Sequence, residues 1–95
     1  MLFRSQYGPD GIRANTVSPG LVDGKQTRQI VAQLSSDVQG YLDDFVRLDQ
    51  ALPQVIQPED IGNLVAFLAS DDARMITGAE IPVDAGMWAQ LTSRR

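Results

Sequence analysis

The first recognisable pattern in the sequence is a short β-type run, from Ile12 to Val17, that stops at Ser18-Pro19-Gly20. Its apolar and polar positions alternate imperfectly, which is typical of a strand covered on both faces. Pro19 has no N–H for a sheet ladder, and Gly20 permits dihedral angles that are closed to other residues. The pattern predicts a strand over residues 12–17 that ends in a Pro-Gly loop.

After Gly24 the apolar spacing changes to that of helices. The apolar stripe of the first predicted helix consists of Thr27, Ile30, Val31 and Leu34. Ser35-Ser36-Asp37 supplies capping residues for a second helix. The apolar face of that second helix consists of Val38, Tyr41, Leu42, Phe45 and Leu48. The spacing alone is explained by two surface helices that pack on a core.

The clearest predicted helix runs from Gln57 to Ser70. Pro58 stands at its first position, and Glu59 and Asp60 complement the positive end of the helix. One stripe consists of Ile61, Leu64, Val65 and Leu68, and a second, of small residues, consists of Gly62, Ala66 and Ala69. We therefore expect this helix to be covered on two sides, by a sheet and by a neighbouring helix of a partner subunit.

A second predicted strand covers residues 79–84, AEIPVD, where Pro82 favours a position at a sheet edge. Residues 87–95 are expected to form a tail whose Trp88 packs against other residues. The order of strand, helices and strand predicts two parallel strands joined by a right-handed crossover. The expected fold class is α/β.

Composition removes several classes of chemistry. The 95 residues suggest one small domain, and they include neither cysteine nor histidine. This excludes disulfides, a thiol nucleophile and a Ser-His-Asp triad, and we expect no metal site. A net charge of −4 with scattered basic residues argues against nucleic acid as a partner.

The sequence also shows no sign of a membrane segment. No apolar run approaches the roughly 20 residues of a membrane span, and the start lacks the apolar stretch of a signal peptide. We expect a cytoplasmic protein without a membrane partner.

Two parallel strands with helices do not make a stable domain by themselves. One side of the strand at residues 12–17 has no predicted partner, and Met1–Tyr7 resembles the end of a helix whose beginning is missing. A small domain without disulfide or metal usually needs another chain. Either upstream sequence is missing, or the chain oligomerises through this open flank.

Several ordered motifs resemble those of the short-chain dehydrogenase/reductases. Residues 7–20, YGPDGIRANTVSPG, resemble the sixth-strand region of that family. Residues 58–71, PEDIGNLVAFLASD, followed by Ile76-Thr77-Gly78 and Val83-Asp84-Ala85-Gly86, resemble its last helix and seventh strand. The resemblance covers nearly the whole chain apart from the middle.

The resemblance implies the C-terminal part of a doubly wound Rossmann-type parallel sheet. It implies an oxidoreductase that transfers hydride between NAD or NADP and a small alcohol or carbonyl substrate. Pro19, Gly20, Leu21 and Val22 would form the cofactor site beside the nicotinamide, with the Val22 backbone facing the carboxamide. The single partial domain would comprise residues 1–24 (helix end, strand and Pro-Gly loop), 25–57 (helical substrate lid), 58–86 (last helix and edge strand) and 87–95 (tail).

In the lid, we expect Ile30, Leu34, Tyr41, Leu42 and Phe45 to turn inward over a mostly apolar substrate. The alternative is that these side chains only pack on the core. Two residues depart from the family pattern. Gly24 stands where the family often has a threonine near the cofactor, and Ala85 replaces the first glycine of Val-Asp-Gly-Gly.

The family's phosphate-binding loop, its catalytic serine and its Tyr-x-x-x-Lys pair lie upstream of the matched region. Here the only lysine is Lys25, and neither Tyr7 nor Tyr41 is followed by lysine at the fourth position. The pair is needed because a phenol with a pKa near 10 must trade a proton at neutral pH. We therefore expect no catalytic residue in this chain and no hydride transfer by it alone.

A second hypothesis remains open at this point. The chain would be a non-catalytic interaction module derived from the family, forming a homo-oligomer through the helix and strand of residues 58–86. Whether it is a genuine short gene, a truncated chain or a broken reading frame is also open. The substrate and the choice between NAD and NADP would depend on residues outside the matched region.

Overall fold

The computed structural model describes residues 7–93, and the side chains of residues 7–90. Its elements are β1 (Thr16–Pro19), α1 (Lys25–Leu34), α2 (Val38–Asp49), α3 (Pro58–Ala69), β2 (Glu80–Val83) and α4 (Met87–Ser93). Short 3-10 turns lie at Gly8–Asp10 and Asp71–Ala73. The helix end predicted for Met1–Tyr7 falls, apart from Tyr7, outside the described residues.

The two strands pair in parallel, as predicted. Thr16 is the partner of Glu80 at one end of the ladder, and Pro19 is the partner of Val83 at the other. The connection between them runs through α1, α2 and α3. This arrangement confirms the α/β class.

The predicted bounds of the first strand were wrong, because β1 covers residues 16–19 and not 12–17. Before Thr16, side chains take the place of the regular ladder. The Asn15 amide donates to the Ile76 carbonyl at 3.1 Å and accepts the Ala79 N–H at 3.0 Å, and the Ala14 N–H donates to the Thr77 hydroxyl. The segment therefore stays attached to its neighbour without strand geometry.

Pro19 is the last residue of β1, so the strand ends at the Pro-Gly step as predicted, and Pro19 itself is still paired with Val83. The Thr16 N–H donates to the Ala79 carbonyl and the Gly20 N–H donates to the Val83 carbonyl, each at 2.9 Å. Alternate residues of a strand turn their backbone groups to opposite edges. Pro19 therefore faces away from β2, where its missing N–H costs no bond within this sheet.

The two helices predicted between Gly24 and Gln57 are both present. Asp37 caps α2, because its carboxylate accepts the Gly40 N–H at 3.0 Å. Val31 of α1 is 3% exposed and Leu42 of α2 is fully buried. They are the buried apolar side chains of these two helices, which belong to the helical excursion of residues 24–55.

Helix α3 begins at Pro58, as predicted, and the Asp60 carboxylate accepts the Gln57 N–H at 2.8 Å. Of its apolar stripe, only Leu68 is buried. Val65 is 49% exposed and Phe67 is 44% exposed. The predicted cover on two sides is not supplied by the described residues of this chain.

The tail predicted for residues 87–95 contains a short helix, α4. The Asp84 carboxylate starts it by accepting the N–H groups of Gly86 and Trp88, each at 3.0 Å. Trp88 is 64% exposed, so the prediction that it packs is wrong for the described part of the chain. Cover for this indole would have to come from elsewhere.

The core is small for a chain of this length. Among the described side chains, the buried apolar ones are Val31, Leu42, Ile56, Leu68 and Ala73. The radius of gyration is 16.4 Å, whereas a compact domain of this length would have about 12 Å. No helix in residues 7–93 combines the length and apolar character needed to cross a bilayer.

Candidate functional site

The candidate site is the loop that follows β1 at the carboxyl end of the sheet. In open α/β sheets, ligands bind at this end of the strands. Gly20 is held there by its hydrogen bond to Val83, and the next residues of the loop run toward Ile56. The loop is therefore fixed against the ends of both β2 and the segment before α3.

Gly20 is required by space and not by unusual dihedral angles. Its φ lies outside the left-handed region, which corrects the sequence interpretation. A Cβ built on Gly20 would lie 2.9 Å from both the Cα and the Cβ of Asp84, and 3.2 Å from the Ile56 side chain. Any side chain at this position would push the loop off the end of β2.

The loop also joins the two ends of the helical excursion. Val22 forms an isolated parallel bridge with Ile56, and the Asp23 N–H donates to the Ile56 carbonyl at 2.7 Å. The two ends of the segment of residues 24–55 therefore lie side by side, where Val22 and Asp23 contact Ile56.

An ion pair fixes α1 to the same loop. Arg28 donates to the Asp23 carboxylate through Nε at 2.6 Å and through Nη2 at 3.0 Å. These hydrogen bonds, with the positive charge of the guanidinium, hold the pKa of Asp23 below its ordinary value, although partial burial opposes them. Arg28 also donates to the Gln39 side chain at 3.2 Å, which links α1 to α2.

A threonine in place of Gly24 would not be excluded by space. The residue precedes α1 in an extended conformation, and a Cβ built on it meets nothing within 4 Å. The departure from the family's threonine therefore has no steric cause in the described residues.

The five predicted lid residues differ in how far they are buried. Leu42 is fully buried, so it belongs to the core and has no surface to offer a substrate. Ile30 is 54% exposed and Leu34 is 68% exposed. Tyr41 is exposed and Phe45 is half-buried, and both line a shallow cavity of about 280 Å³ with Leu48.

The predicted wall and the predicted lid do not line one common cavity. Pro19 lines a cavity of about 550 Å³ on the sheet together with Pro82, Met87 and Trp88. Tyr41 and Phe45 line a separate one. In the described residues, the acidic side chains form no cluster of three or more that could hold a metal ion.

A second junction, not foreseen from the sequence, ties the end of the excursion to the turn after β2. The Ala51 and Leu52 N–H groups both donate to the Ala85 carbonyl, at 2.9 and 3.0 Å. Gln50, 5% exposed, donates through Nε2 to the Leu52 and Gln54 carbonyls, while its Oε1 has no partner. The excursion is therefore held at a second point before it reaches Ile56.

Comparison with known families decides which fold this is. The family model described as Enoyl-(Acyl carrier protein) reductase matches residues 4–88 of the chain. The chain belongs to the short-chain dehydrogenase/reductase family.

Curated members of the short-chain dehydrogenase/reductase family support the assignment. The probable short-chain type dehydrogenase/reductase blr2146 of Bradyrhizobium diazoefficiens is 45% identical over 87 residues, which are 92% of this chain and 28% of that protein. The meso-2,3-butanediol dehydrogenase of Serratia marcescens is 37% identical over 87% of this chain and 30% of that enzyme. The chain thus spans less than a third of the length of these relatives.

A solved short-chain dehydrogenase/reductase structure has the same fold as this chain. L-sorbose reductase of Gluconobacter frateurii, complexed with NADPH and L-sorbose, superposes with a TM-score of 0.82 at 27% identity. The match covers 90% of this chain and 34% of that one. The two-stranded sheet is accordingly part of a Rossmann-type fold, and NAD or NADP is the cofactor class of the family.

The sequence interpretation of this family member missed the residues that fix the site. Asp23 and Arg28 lie five positions apart, across the start of a helix, where helical spacing rules do not apply. Asp84 did carry a signal, because Asp before Ala-Gly is a common turn motif. No local pattern indicated the role of Asn15, since its hydrogen bonds reach residues more than sixty positions away.

Proposed function

We propose that Pro19, Gly20, Leu21 and Val22 form the wall beside the nicotinamide ring of NAD or NADP. The complete enzyme would transfer hydride between this cofactor and a small alcohol or carbonyl substrate. The observation that carries the proposal is the position of the loop at the carboxyl end of β1, with Gly20 seated directly on Asp84 and Ile56.

The hydrogen bonds beside Val22 support its proposed place facing the nicotinamide carboxamide. Asp23 donates to Ile56, and alternate residues of an extended segment turn to opposite sides. The Val22 N–H is therefore turned away from Ile56. A nicotinamide carboxamide has a carbonyl acceptor that the Val22 N–H would bind, which would fix the ring face presented, whereas the Val22 C=O already accepts the Gly24 N–H at 2.9 Å.

When bound, the cofactor supplies or accepts the hydride, and the role of this chain is to orient its ring. The residues that would move the substrate proton are outside the matched motifs, because no Tyr-x-x-x-Lys occurs in the sequence. We therefore propose that the isolated chain is inactive. Its affinity for the nucleotide would also be weak, because the glycine-rich loop that binds the phosphates is not in the sequence.

Grafting tests the proposed wall. Residues 12–24 replace the matching segment of the Serratia marcescens meso-2,3-butanediol dehydrogenase, which keeps its own lid and catalytic groups. The graft is expected to retain hydride transfer, with a nucleotide KM within about tenfold of the parent. A folded graft that no longer binds either nucleotide would overturn the proposal.

A proline at position 22 tests the backbone contact in the same graft. Val22→Pro removes the N–H, and the nucleotide KM is expected to rise by about tenfold because one hydrogen bond is lost. Val22→Ala is the matched control, since it shortens the side chain and keeps the N–H. An equal effect of both substitutions would mean that the side chain, and not the backbone, makes the contact.

We propose that Ile30, Leu34, Tyr41 and Phe45 provide the substrate-facing surface of the lid. The exposure of Ile30, Leu34 and Tyr41 supports this role, and Phe45 is half-buried. An apolar surface of this kind suits a mostly apolar substrate. Leu42, in contrast, holds the lid to the core.

A second candidate function is a homo-oligomeric interaction module. Gly62, Ala66 and Ala69 form an exposed stripe of small residues on α3, next to the exposed Val65 and Phe67. Light scattering of the purified chain tests this candidate, with Ala66→Arg as the disruptive variant and Asn63→Arg, also exposed, as the control. A well-folded monomer at micromolar concentration would count against it.

A further inference from the structure

A chain of hydrogen bonds joins the Pro-Gly loop to both helices of the lid. The Asp23 carboxylate accepts Arg28 Nε at 2.6 Å and Nη2 at 3.0 Å, and the same Nη2 donates to Gln39 Oε1 at 3.2 Å. Beyond it, Gln39 Nε2 donates to the Asp43 carboxylate at 3.0 Å. Four side chains therefore connect the residue after Val22 with the middle of α2.

The members of this chain orient one another. Arg28 Nη2 carries two N–H groups, one for each of its acceptors, and an amide has one accepting end and one donating end. Because an ionised carboxylate can only accept, Asp43 holds the Gln39 amide with its oxygen toward Arg28. An isolated ion pair on a surface contributes little, whereas a bidentate pair with further hydrogen bonds adds geometric specificity.

The charged part of the chain is partly withdrawn from water. The Asp23 side chain is 16% exposed and the Arg28 side chain 43% exposed. Apolar burial on the same helices is limited, because Val31 of α1 and Leu42 of α2 are their buried apolar side chains. The polar chain therefore contributes to where the two helices lie relative to the loop.

We propose that Arg28 is a positioning residue that holds the nicotinamide wall and the substrate lid in one fixed relation. Arg28 contacts neither cofactor nor substrate. It acts through Asp23 on the Val22 N–H, and through Gln39 on α2 and the substrate-facing side chains of that helix. The inference rests on the proposed function for what the Val22 N–H and the lid contact.

Asp23 is suited to pass this constraint to its neighbour. Its N–H donates to the Ile56 carbonyl at 2.7 Å, and its side chain is held by Arg28. The Val22 carbonyl, in the same peptide group as the Asp23 N–H, accepts the Gly24 N–H at 2.9 Å. Because a displacement of about 1 Å can cost on the order of a hundredfold in rate, contacts beyond the reacting groups matter to catalysis.

NMR of the 95-residue chain tests the positioning without cofactor. Gln39→Met keeps the side-chain length and removes both hydrogen bonds, so the Val22 and Asp23 amide signals should shift. In an Arg28→Met background the connection is already cut, and the same substitution should leave these two signals in place. Gln33→Met, exposed on α1, is the control. Unmoved Val22 and Asp23 signals in Gln39→Met would overturn the inference.

Nucleotide binding supplies a second readout. A graft of residues 12–57 into the Serratia marcescens meso-2,3-butanediol dehydrogenase carries both loop and lid, and NADH or NADPH fluorescence measures its nucleotide Kd. Arg28→Met should weaken binding about tenfold and Gln39→Met about threefold, with no change in Gln33→Met. A purely structural role would lower the melting temperature of the graft and leave the Kd of the folded protein unchanged.

The inference and the proposed function fail in different ways. If the graft binds nucleotide and Arg28→Met leaves its Kd unchanged, the wall holds and the positioning role is refuted. If the graft binds no nucleotide while Gln39→Met shifts the Val22 signal, the wall is refuted and the connection through Arg28 holds. If the signal shifts and the Kd rises as expected, both hold.

Discussion

Gly20 and Asp84 approach each other so closely that no side chain fits between them. A Cβ built on Gly20 would lie 2.9 Å from the Asp84 Cα and Cβ. Asp84 in turn accepts the N–H groups that begin α4. The Pro-Gly loop, the end of β2 and the last helix therefore meet at one point.

Because of this contact, a single methyl group added at Gly20 should lower the stability of the fold. Gly20→Ala should lower the free energy of unfolding by about 1–3 kcal/mol, because the loop or Asp84 must move. Urea unfolding followed by far-UV circular dichroism measures it. Gly62→Ala is the matched control: its Cβ meets nothing within 4 Å, so it should stabilise α3 by up to about 1 kcal/mol. A neutral Gly20→Ala would refute the packing argument.

Ala85 lies in the left-handed region, with φ of +55°. Steric strain in this region costs a residue with a Cβ about 1–2 kcal/mol, and glycine does not have this strain. Ala85→Gly should therefore raise the free energy of unfolding by about 1 kcal/mol, after the greater freedom of glycine in the unfolded chain is counted. The control is Ala66→Gly inside α3, which should lower it by a similar amount. Destabilisation by both substitutions would mean that Ala85 is unstrained.

The pairing of Asp23 with Arg28 should be measurable as a lowered pKa of Asp23. The folded-state pKa of Asp23 is lowered, so the stability that the pair contributes is present above the unfolded pKa of about 3.9 and is lost as pH falls through the folded pKa. NMR titration of the Asp23 carboxyl should give a midpoint below its ordinary value.

Removing the guanidinium should move that midpoint upward. In Arg28→Gln, the Asp23 pKa is expected to rise toward its ordinary value, because the strongest hydrogen bonds to the carboxylate are lost. Arg47→Gln is the control, since Arg47 pairs with Asp44 on the exposed face of α2. An unchanged Asp23 midpoint in Arg28→Gln would show that the pair does not form in solution.

Two leucines of the helical excursion are expected to contribute very different amounts to the stability of the fold. Leu42 is fully buried, so Leu42→Ala should cost about 2–5 kcal/mol of stability. Leu34 is 68% exposed, so Leu34→Ala should change stability by less than about 0.5 kcal/mol. Chemical unfolding of both variants measures the difference. Similar losses would mean that Leu34 is covered in solution.

Local sequence patterns predicted the elements better than their limits. Pro58 at the start of α3 and Asp37 before α2 are short-range signals, and both helices begin where these residues stand. The start of β1 was missed because Asn15 and Thr77, far apart in sequence, replace ladder bonds with side-chain bonds. No local pattern contains that information.

The candidate site was predictable in position but not in its supporting contacts. The motif around Pro19 and Gly20 located the loop, yet the reason for Gly20 was its contact with Asp84, more than sixty residues away. Burial of the lid was equally unpredictable, because Tyr41 and Leu42 are neighbours on one predicted stripe and only Leu42 is buried. Which part of a wide stripe meets the core depends on tertiary packing.

We propose that this chain contributes one wall of a hydride-transfer site whose catalytic groups lie on other residues. The most direct measurement is turnover by the purified chain alone, with NAD(H) and NADP(H) and a panel of alcohols and ketones. We expect no change in nicotinamide absorbance above a control without protein. Turnover that increases in proportion to the concentration of the chain would contradict it.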